Sequence, residues 1–155
     1  MKPYQKFGFA FDHIYGFEIT PQQPQQVYQQ IPDEFKHAYH WFNVGVETDP
    51  NSYQNPFRIL SQHFTRDDFV VVKLDIDTPE LEIPLARQLL EGTFAKDDGE
   101  TKRLADLVDV FYFEHQILMK ELASSWKTSM KGSMWDSLQL FAGLRELGIA
   151  AHFWI

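Results

Sequence analysis

The chain has 155 residues, a formal net charge of −8 and no cysteine. This length suits one domain, residues 1–155, with a core of its own, and the lack of cysteine excludes disulfides, thiolate metal sites and a cysteine nucleophile. Basic residues are few and unclustered and no apolar run could span a membrane, so neither nucleic acid nor a membrane is an expected partner. The first ten residues lack the pattern of a secretory signal, and we expect an intracellular, cytoplasmic protein.

Strands and helices alternate through the first third of the chain. A short apolar run ending on an acid predicts one strand, and an aromatic run before a turn-rich segment predicts another. Between them a Gln-rich segment carries apolar residues at helical spacing, with a proline that suits a first turn. Strands are therefore predicted at Asp12–Glu18 and Tyr39–Val46, with helices at Gln22–Gln30 and over the stripe of Phe57, Leu60 and Phe64.

The most apolar run of the chain is Phe69–Val72, which is rich in β-branched residues and bounded by charges. Such a run predicts a central parallel strand covered on both faces. In open α/β sheets, ligands bind beyond the carboxyl ends of the strands. Asp75 and Asp77 come directly after this strand, so they stand where a site is expected.

Further elements are predicted after Asp77. Pro84 suggests that Thr78–Glu82 is a turn and that a helix begins near Pro84, because proline is costly inside a helix. The Gly- and Asp-rich segment Glu91–Lys102 predicts a surface loop. Later elements are a strand at Leu107–Glu114, a helix at Ile117–Leu122, a mobile loop at Ser124–Ser133, a helix at Trp135–Leu147 and a strand at Ile149–Trp154. The helix at Trp135–Leu147 carries Leu138, Phe141, Leu144 and Leu147 on one stripe, and Gly148 is its stop signal. The alternation predicts a doubly wound, mostly parallel sheet of five or six strands with helices on both faces.

Several of these segments, taken in order, resemble a known family. They are Ile14–Glu18, Asn43–Val46, Val72–Asp77, Phe113–His115 and Leu140–Trp154. Their order and spacing are similar to the class I S-adenosylmethionine-dependent methyltransferases, and within that class to the FkbM-type branch. The resemblance extends over about Phe11 to Trp154 and implies a Rossmann-like fold with S-adenosylmethionine as cofactor.

The chain departs from the family in two places. Family members begin with a strand and a Gly-rich turn near the methionine end of the cofactor, and no segment here supplies them. The fold is therefore expected to be N-terminally incomplete, as in a fragment of a longer product, unless another chain or a rearranged sheet fills the place beside Phe69–Asp75. In the second place, Asp77-Thr78-Pro79 stands where the family more often has an acid followed by Gly.

Glu18, Asn43 and Asp75 are the candidate cofactor ligands, and the first two lie at the first two strand ends. The resemblance implies that Glu18 accepts hydrogen bonds from the ribose hydroxyls, although an acid in this turn also suits a helix N-terminus. Asn43 is placed to meet an adenine or to bind nearby backbone.

Lys73, Asp75 and Asp77 occupy alternate positions and face one side if the strand continues. Lys73 needs an acidic partner, for which Asp75 and Glu114 are candidates. Two interpretations stay open. The residues form an ion-pair network that holds the strand ends, or the acids bind a divalent metal ion or orient a substrate hydroxyl.

Glu114 and His115 are the remaining candidate catalytic residues, alongside Asp75. As neighbours in a strand they face opposite sides, so they share a site only if the strand ends at Phe113. A histidine at a strand end beside an acid suits a general base.

Three functions are consistent with these residues. The first is S-adenosylmethionine-dependent O-methyl transfer to a small-molecule or sugar hydroxyl, with Glu18 at the ribose, Asp75 and Asp77 bordering the crevice, and Glu114 or His115 assisting deprotonation. The second is a non-catalytic module that binds a partner chain or itself through an exposed sheet edge. The third is a metal-dependent, glycosyltransferase-like use of Asp75-Ile76-Asp77.

Overall fold

The computed structural model describes residues 2–96, 99–115 and 133–154. The chain forms two compact units, Met1–Val46 and Glu47–Ile155. Both contain helices and parallel strands, which confirms the predicted α/β class. No helix among the described residues is long and apolar enough to cross a membrane. The helix predicted at residues 117–122 and nearly all of the loop predicted at 124–133 lie outside the described residues.

The first unit is built on two parallel strands, β1 (Ile14–Phe17) and β2 (Tyr39–Phe42), in register from Ile14 opposite Tyr39 onward. Its helices are α1 (Lys2–Gln5), α2 (Pro24–Gln30) and α3 (Asp33–Lys36), and its buried apolar residues are Val27, Phe35 and Ala38. The predicted helix at Gln22–Gln30 is confirmed, with Pro24 in its first turn. The second strand was predicted to reach Val46 but ends at Phe42, because the Asn43 side chain binds the neighbouring turn.

The second unit holds a three-stranded parallel sheet with helices and a hairpin. In chain order its elements are α4 (Pro56–His63), β3 (Val71–Leu74), α5 (Pro79–Glu91), β4 (Thr93–Ala95), β5 (Thr101–Arg103), a 3₁₀ turn (Leu104–Asp106), β6 (Val110–Phe113), α6 (Met134–Glu146) and β7 (Ala150–Phe153). The sheet order is β3-β6-β7. The core contains Leu85 and Leu89 of α5, Phe111 and Phe113 of β6, and Phe141 and Leu144 of α6.

Among the described residues, the strand predicted to be central lies at an edge of its sheet. Within the described part of the chain β3 pairs with β6 alone, Val71 and Val72 are only partly buried, and Lys73 is exposed. The parallel strands occur in sheets of two and three strands, so the single sheet of five or six strands is not observed. Half of the backbone groups of β3 therefore face an edge without a described neighbour.

The segment Thr78–Glu82 was predicted as a turn, but α5 already begins at Pro79 and continues through Pro84. The predicted turn was wrong because the cost of Pro84 inside a helix was overestimated. Proline removes one hydrogen bond of the helix, yet the first turn is held elsewhere, since the backbone N–H groups of Leu81 and Glu82 both donate to the Thr78 carbonyl. Burial of Leu85, Ala86 and Leu89 then stabilises the rest of the helix.

The segment Glu91–Lys102 was predicted as a surface loop, but it includes β4 and the start of β5, paired antiparallel. Phe94 is 3% exposed while its neighbours are exposed, so one buried aromatic side chain anchors the hairpin. The turn signal was correct at Gly99, whose φ of +88° favours glycine. A strand of three residues is too short for periodicity to reveal.

The predicted C-terminal helix and strand are confirmed as α6 and β7. Ser133 and Asp136 form a capping box at the start of α6, and Gly148, with φ of +96°, ends it. Leu138 was expected on the buried stripe but is exposed, because the helix turns Ser137, Leu140 and Phe141 inward instead.

Candidate functional site

Three carboxylates meet at the carboxyl ends of β3 and β6. The two strands are parallel and Leu74 lies opposite Phe113, so the residues just beyond each strand emerge at the same edge. Carboxylate oxygens of Asp75, Asp77 and Glu114 all lie within 4.8 Å of one another. These three residues form the group that we call the acidic cluster. Their position is the one in which open α/β sheets bind ligands.

Lys73 reduces the negative charge of the acidic cluster. Its ammonium group forms an ion pair with Asp75, one of the two partners predicted from the sequence. The same group lies 4.3 Å from the centroid of the Trp154 ring. The Lys73 side chain is 45% exposed and that of Asp75 27% exposed, so this pair is solvated and contributes little to stability by itself. Lys73 also lowers the pKa of Glu114, so its charge acts on two members of the acidic cluster.

Glu82 holds the loop that carries Asp75 and Asp77. It is 1% exposed, and its two carboxylate oxygens accept the backbone N–H groups of Ile76 at 2.9 Å and of Thr78 at 3.2 Å. Between these two anchored amides Asp77 adopts a φ of +53°, a left-handed conformation that aspartate tolerates better than most residues. The position of Asp77 in the cluster therefore depends on a buried residue outside it.

Burial and negative neighbours favour the protonated form of both glutamates. Burial raises the pKa of Glu82, its two backbone hydrogen bonds oppose that rise, and nearby Asp77 and Asp75 add to it. Burial also raises the pKa of Glu114, as do Asp75 and Asp77, whereas Lys73 lowers it. A carboxyl group with a raised pKa is a stronger base once ionised, which suits proton transfer.

His115 lies apart from the acidic cluster. Although β6 ends at Phe113, the imidazole Nδ1 is 2.9 Å from the hydroxyl of the buried Ser137 on α6, and its ring stacks on Phe113. Burial lowers the pKa of His115, an effect that Asp136 opposes and Arg87 reinforces. Its Nε2 is buried without a hydrogen-bond partner among the described residues. Glu114 and His115 thus contact different neighbours.

In the first unit, Glu18 and Asn43 hold one turn. The Glu18 carboxylate accepts the Thr20 N–H at 2.7 Å, and the Asn43 amide donates to the carbonyls of Glu18 and Thr20 at 2.7 and 2.8 Å. The Asn43 carbonyl oxygen accepts the Gln22 N–H at 2.8 Å. Both amide protons of Asn43 are therefore engaged by backbone. Among the described residues, only one of the two Glu18 carboxylate oxygens accepts a hydrogen bond, so the other is available to another donor.

Sequence reasoning did not identify Glu82. Thr78 and Glu82 are separated by four positions, one more than in a capping box, and this spacing was the only available signal.

Protein-family models, curated proteins and solved structures were compared with the chain, and none of them matches it. The resemblance to methyltransferases therefore depends on the strand-end motifs of the sequence alone.

Proposed function

We propose that the chain is a methyltransferase-like protein that binds S-adenosylmethionine and transfers a methyl group to a small-molecule or sugar hydroxyl. The observation that supports this best is the meeting of Asp75 and Glu114 at the carboxyl ends of two adjacent parallel strands. A hydroxyl placed there would lie beside a carboxylate able to take its proton. The resemblance of the strand-end motifs to the FkbM-type branch supports the choice of cofactor.

The residues of the first unit fit the cofactor in part. Glu18 has a carboxylate oxygen left for a ribose hydroxyl, since only one oxygen accepts a local N–H. Asn43 has no amide proton left for adenine and would at most accept a hydrogen bond through its oxygen. No described segment supplies the Gly-rich turn at the methionine end. We therefore assign ribose binding to Glu18 and a turn-holding role to Asn43.

In the second unit, Glu114 would act as the general base. When bound, the cofactor would supply an electrophilic methyl group on a sulfonium. Glu114 would remove the proton of the acceptor hydroxyl, and Asp75, fixed by Lys73, would orient that hydroxyl. His115 is less suited to this step, because one ring nitrogen contacts Ser137 and the other is buried.

The proposal is tested by incubating the purified chain with methyl-labelled S-adenosylmethionine and a panel of sugars and small alcohols. We expect label to pass to at least one hydroxyl compound in proportion to the amount of protein. The control is Glu91→Gln, an exposed acid at the end of α5 that should leave transfer unchanged. If the folded chain transfers no label to any member of a broad panel, the methyltransferase proposal loses its support.

The acidic cluster also favours a second candidate function, a metal-dependent, glycosyltransferase-like reaction. Three carboxylates within 4.8 Å match the oxygen ligands that Mg²⁺ and Mn²⁺ prefer. We expect Mn²⁺ to bind with one-to-one stoichiometry in calorimetry, and Asp77→Asn to weaken it by about tenfold, as losses around metal sites commonly do. Binding that survives in Asp77→Asn, or that is lost equally in Glu91→Gln, would contradict a cation site here.

The edge of β3 supports the remaining proposal, a binding or assembly module. A strand with unpaired backbone groups is a template for another strand. Within the described residues β3 has such an edge, whereas at β7 Arg145 donates two hydrogen bonds to the Ala151 carbonyl, at 3.0 and 2.6 Å. Association through β3 would give a concentration-dependent mass in sedimentation equilibrium.

A further inference from the structure

One face of the β1–β2 sheet carries a row of stacked rings. His13, Tyr15 and Phe17 occupy alternate positions and therefore face the same side, opposite His40 and Phe42 on β2. Tyr15 stacks on His40 with centroids 4.8 Å apart, and Phe17 stacks on Phe42 at 5.0 Å. We call these five residues the aromatic row. It ends in two histidines.

The two histidines are in direct contact. Nδ1 of His13 lies 3.0 Å from Nε2 of His40, and the ring centroids are 5.2 Å apart. The contact is a hydrogen bond, in which the N–H of one ring donates to the bare nitrogen of the other. His13 lies diagonally across from His40, because the residue directly opposite His40 is Tyr15. Two imidazole nitrogens are thus brought together by residues 27 positions apart.

We propose that His13 and His40 form a two-histidine chelate for a divalent transition metal ion such as Zn²⁺ or Cu²⁺. Imidazole nitrogens bind such ions at about 2.0–2.1 Å, so two nitrogens on one ion are roughly 3 Å apart, close to the separation already present. Binding requires a lone pair on both nitrogens. The ring that now donates would change tautomer, so a neutral pair binds the ion with no net loss of a proton, and water completes the coordination.

The neighbours of the pair suit this role. His40 is partly buried and stacked on Tyr15, which restrains its ring, whereas His13 is exposed to solvent, from which an ion can approach the pair. The site differs in chemistry from the acidic cluster, because imidazole prefers Zn²⁺ and Cu²⁺ while carboxylates alone prefer Mg²⁺ and Mn²⁺. The proposal does not depend on the methyltransferase function.

The test is calorimetric titration of the tag-free chain with Zn²⁺ at pH 7.5 in the presence of excess Mg²⁺. We expect one saturable site that His13→Gln and His40→Gln each weaken by about tenfold or more, since even an outer-shell loss commonly has that effect. The matched controls are His37→Gln and His63→Gln, two exposed histidines that should leave the affinity unchanged. No saturable binding, or equal losses in the controls, would overturn the proposal.

A spectroscopic measurement keeps the proposal testable if a variant fails to fold. In the unaltered chain with one equivalent of Cu²⁺, pulsed electron paramagnetic resonance counts the imidazoles bound to each ion. Two imidazoles on one Cu²⁺ are expected, falling to one in the folded member of His13→Gln and His40→Gln. A single imidazole per ion in the unaltered chain would overturn the chelate.

Discussion

Replacing Glu82 with alanine is expected to lower the free energy of unfolding by about 3 kcal/mol. The substitution leaves the N–H groups of Ile76 and Thr78 without their acceptor, and an unsatisfied buried donor costs about 1–3 kcal/mol. It also opens a cavity where a side chain only 1% exposed had been. Denaturant unfolding followed by circular dichroism measures the change.

The control for this prediction is Glu91→Ala in the same helix. Glu91 is exposed at the last residue of α5, so we expect its replacement to change stability by less than about 0.5 kcal/mol. If both variants unfold at the same denaturant concentration as the unaltered chain, Glu82 does not hold the loop of Asp75 and Asp77.

The pKa of Glu82 adds a pH dependence with a definite sign. Because the folded-state pKa is raised, the folded protein retains a proton that the unfolded chain has lost as pH rises above the ordinary glutamate value. The stability that Glu82 contributes is therefore present at low pH and declines as pH rises through the folded pKa. We expect the loss of stability in Glu82→Gln to be larger at pH 4 than at pH 7, and the opposite trend would show that the carboxylate form is the one the fold favours.

Replacing Glu114 with glutamine is expected to reduce methyl transfer by about 10²- to 10⁴-fold, the usual contribution of a general base. Glutamine has nearly the same shape but cannot accept the hydroxyl proton. Glu114 follows β6, whereas the residue that we assign to the cofactor ribose is Glu18. We therefore expect the affinity for S-adenosylmethionine to be unchanged. Initial rates at saturating cofactor and acceptor measure the effect.

Two further variants sharpen the interpretation of Glu114→Gln. His115→Gln alters the contact with Ser137 and not the acidic cluster, so transfer should fall much less than in Glu114→Gln. Glu91→Gln should have no effect. A Glu114→Gln variant that retains the full rate would remove this residue from the mechanism, and a larger loss in His115→Gln would assign the base to the imidazole.

Local patterns in the sequence were sufficient to predict which acidic side chains follow β3 and β6, although they placed the end of β2 four residues too late. Apolar runs bounded by charge indicated β3 and β6, and parallel pairing then implied that Asp75, Asp77 and Glu114 lie at one edge. The partner of Lys73 was also among those predicted. These inferences succeeded because each depends on a strand and on the residues directly after it.

Features that depend on long-range packing were not predicted. Glu82 lies in the first turn of α5 and binds backbone N–H groups of the preceding loop, a contact that no periodicity reveals. Pro84 lies within a helix because packing of Leu85 and Leu89 outweighs its local preference. The edge position of β3 was also missed, because an apolar run has the same pattern whether one neighbouring strand or two are paired with it. The contact of His13 with His40 required the register of β1 and β2.

Calorimetric titration with S-adenosylmethionine and S-adenosylhomocysteine tests the proposed function most directly, because it requires no knowledge of the acceptor. We predict one-to-one binding with a dissociation constant near 1 μM, about −8 kcal/mol, that is lost in Glu18→Ala. Asn43→Asp is a second variant, expected to disturb the turn that Asn43 holds and so to weaken binding less completely. Absence of binding by the folded chain, or full binding by folded Glu18→Ala, would contradict the account.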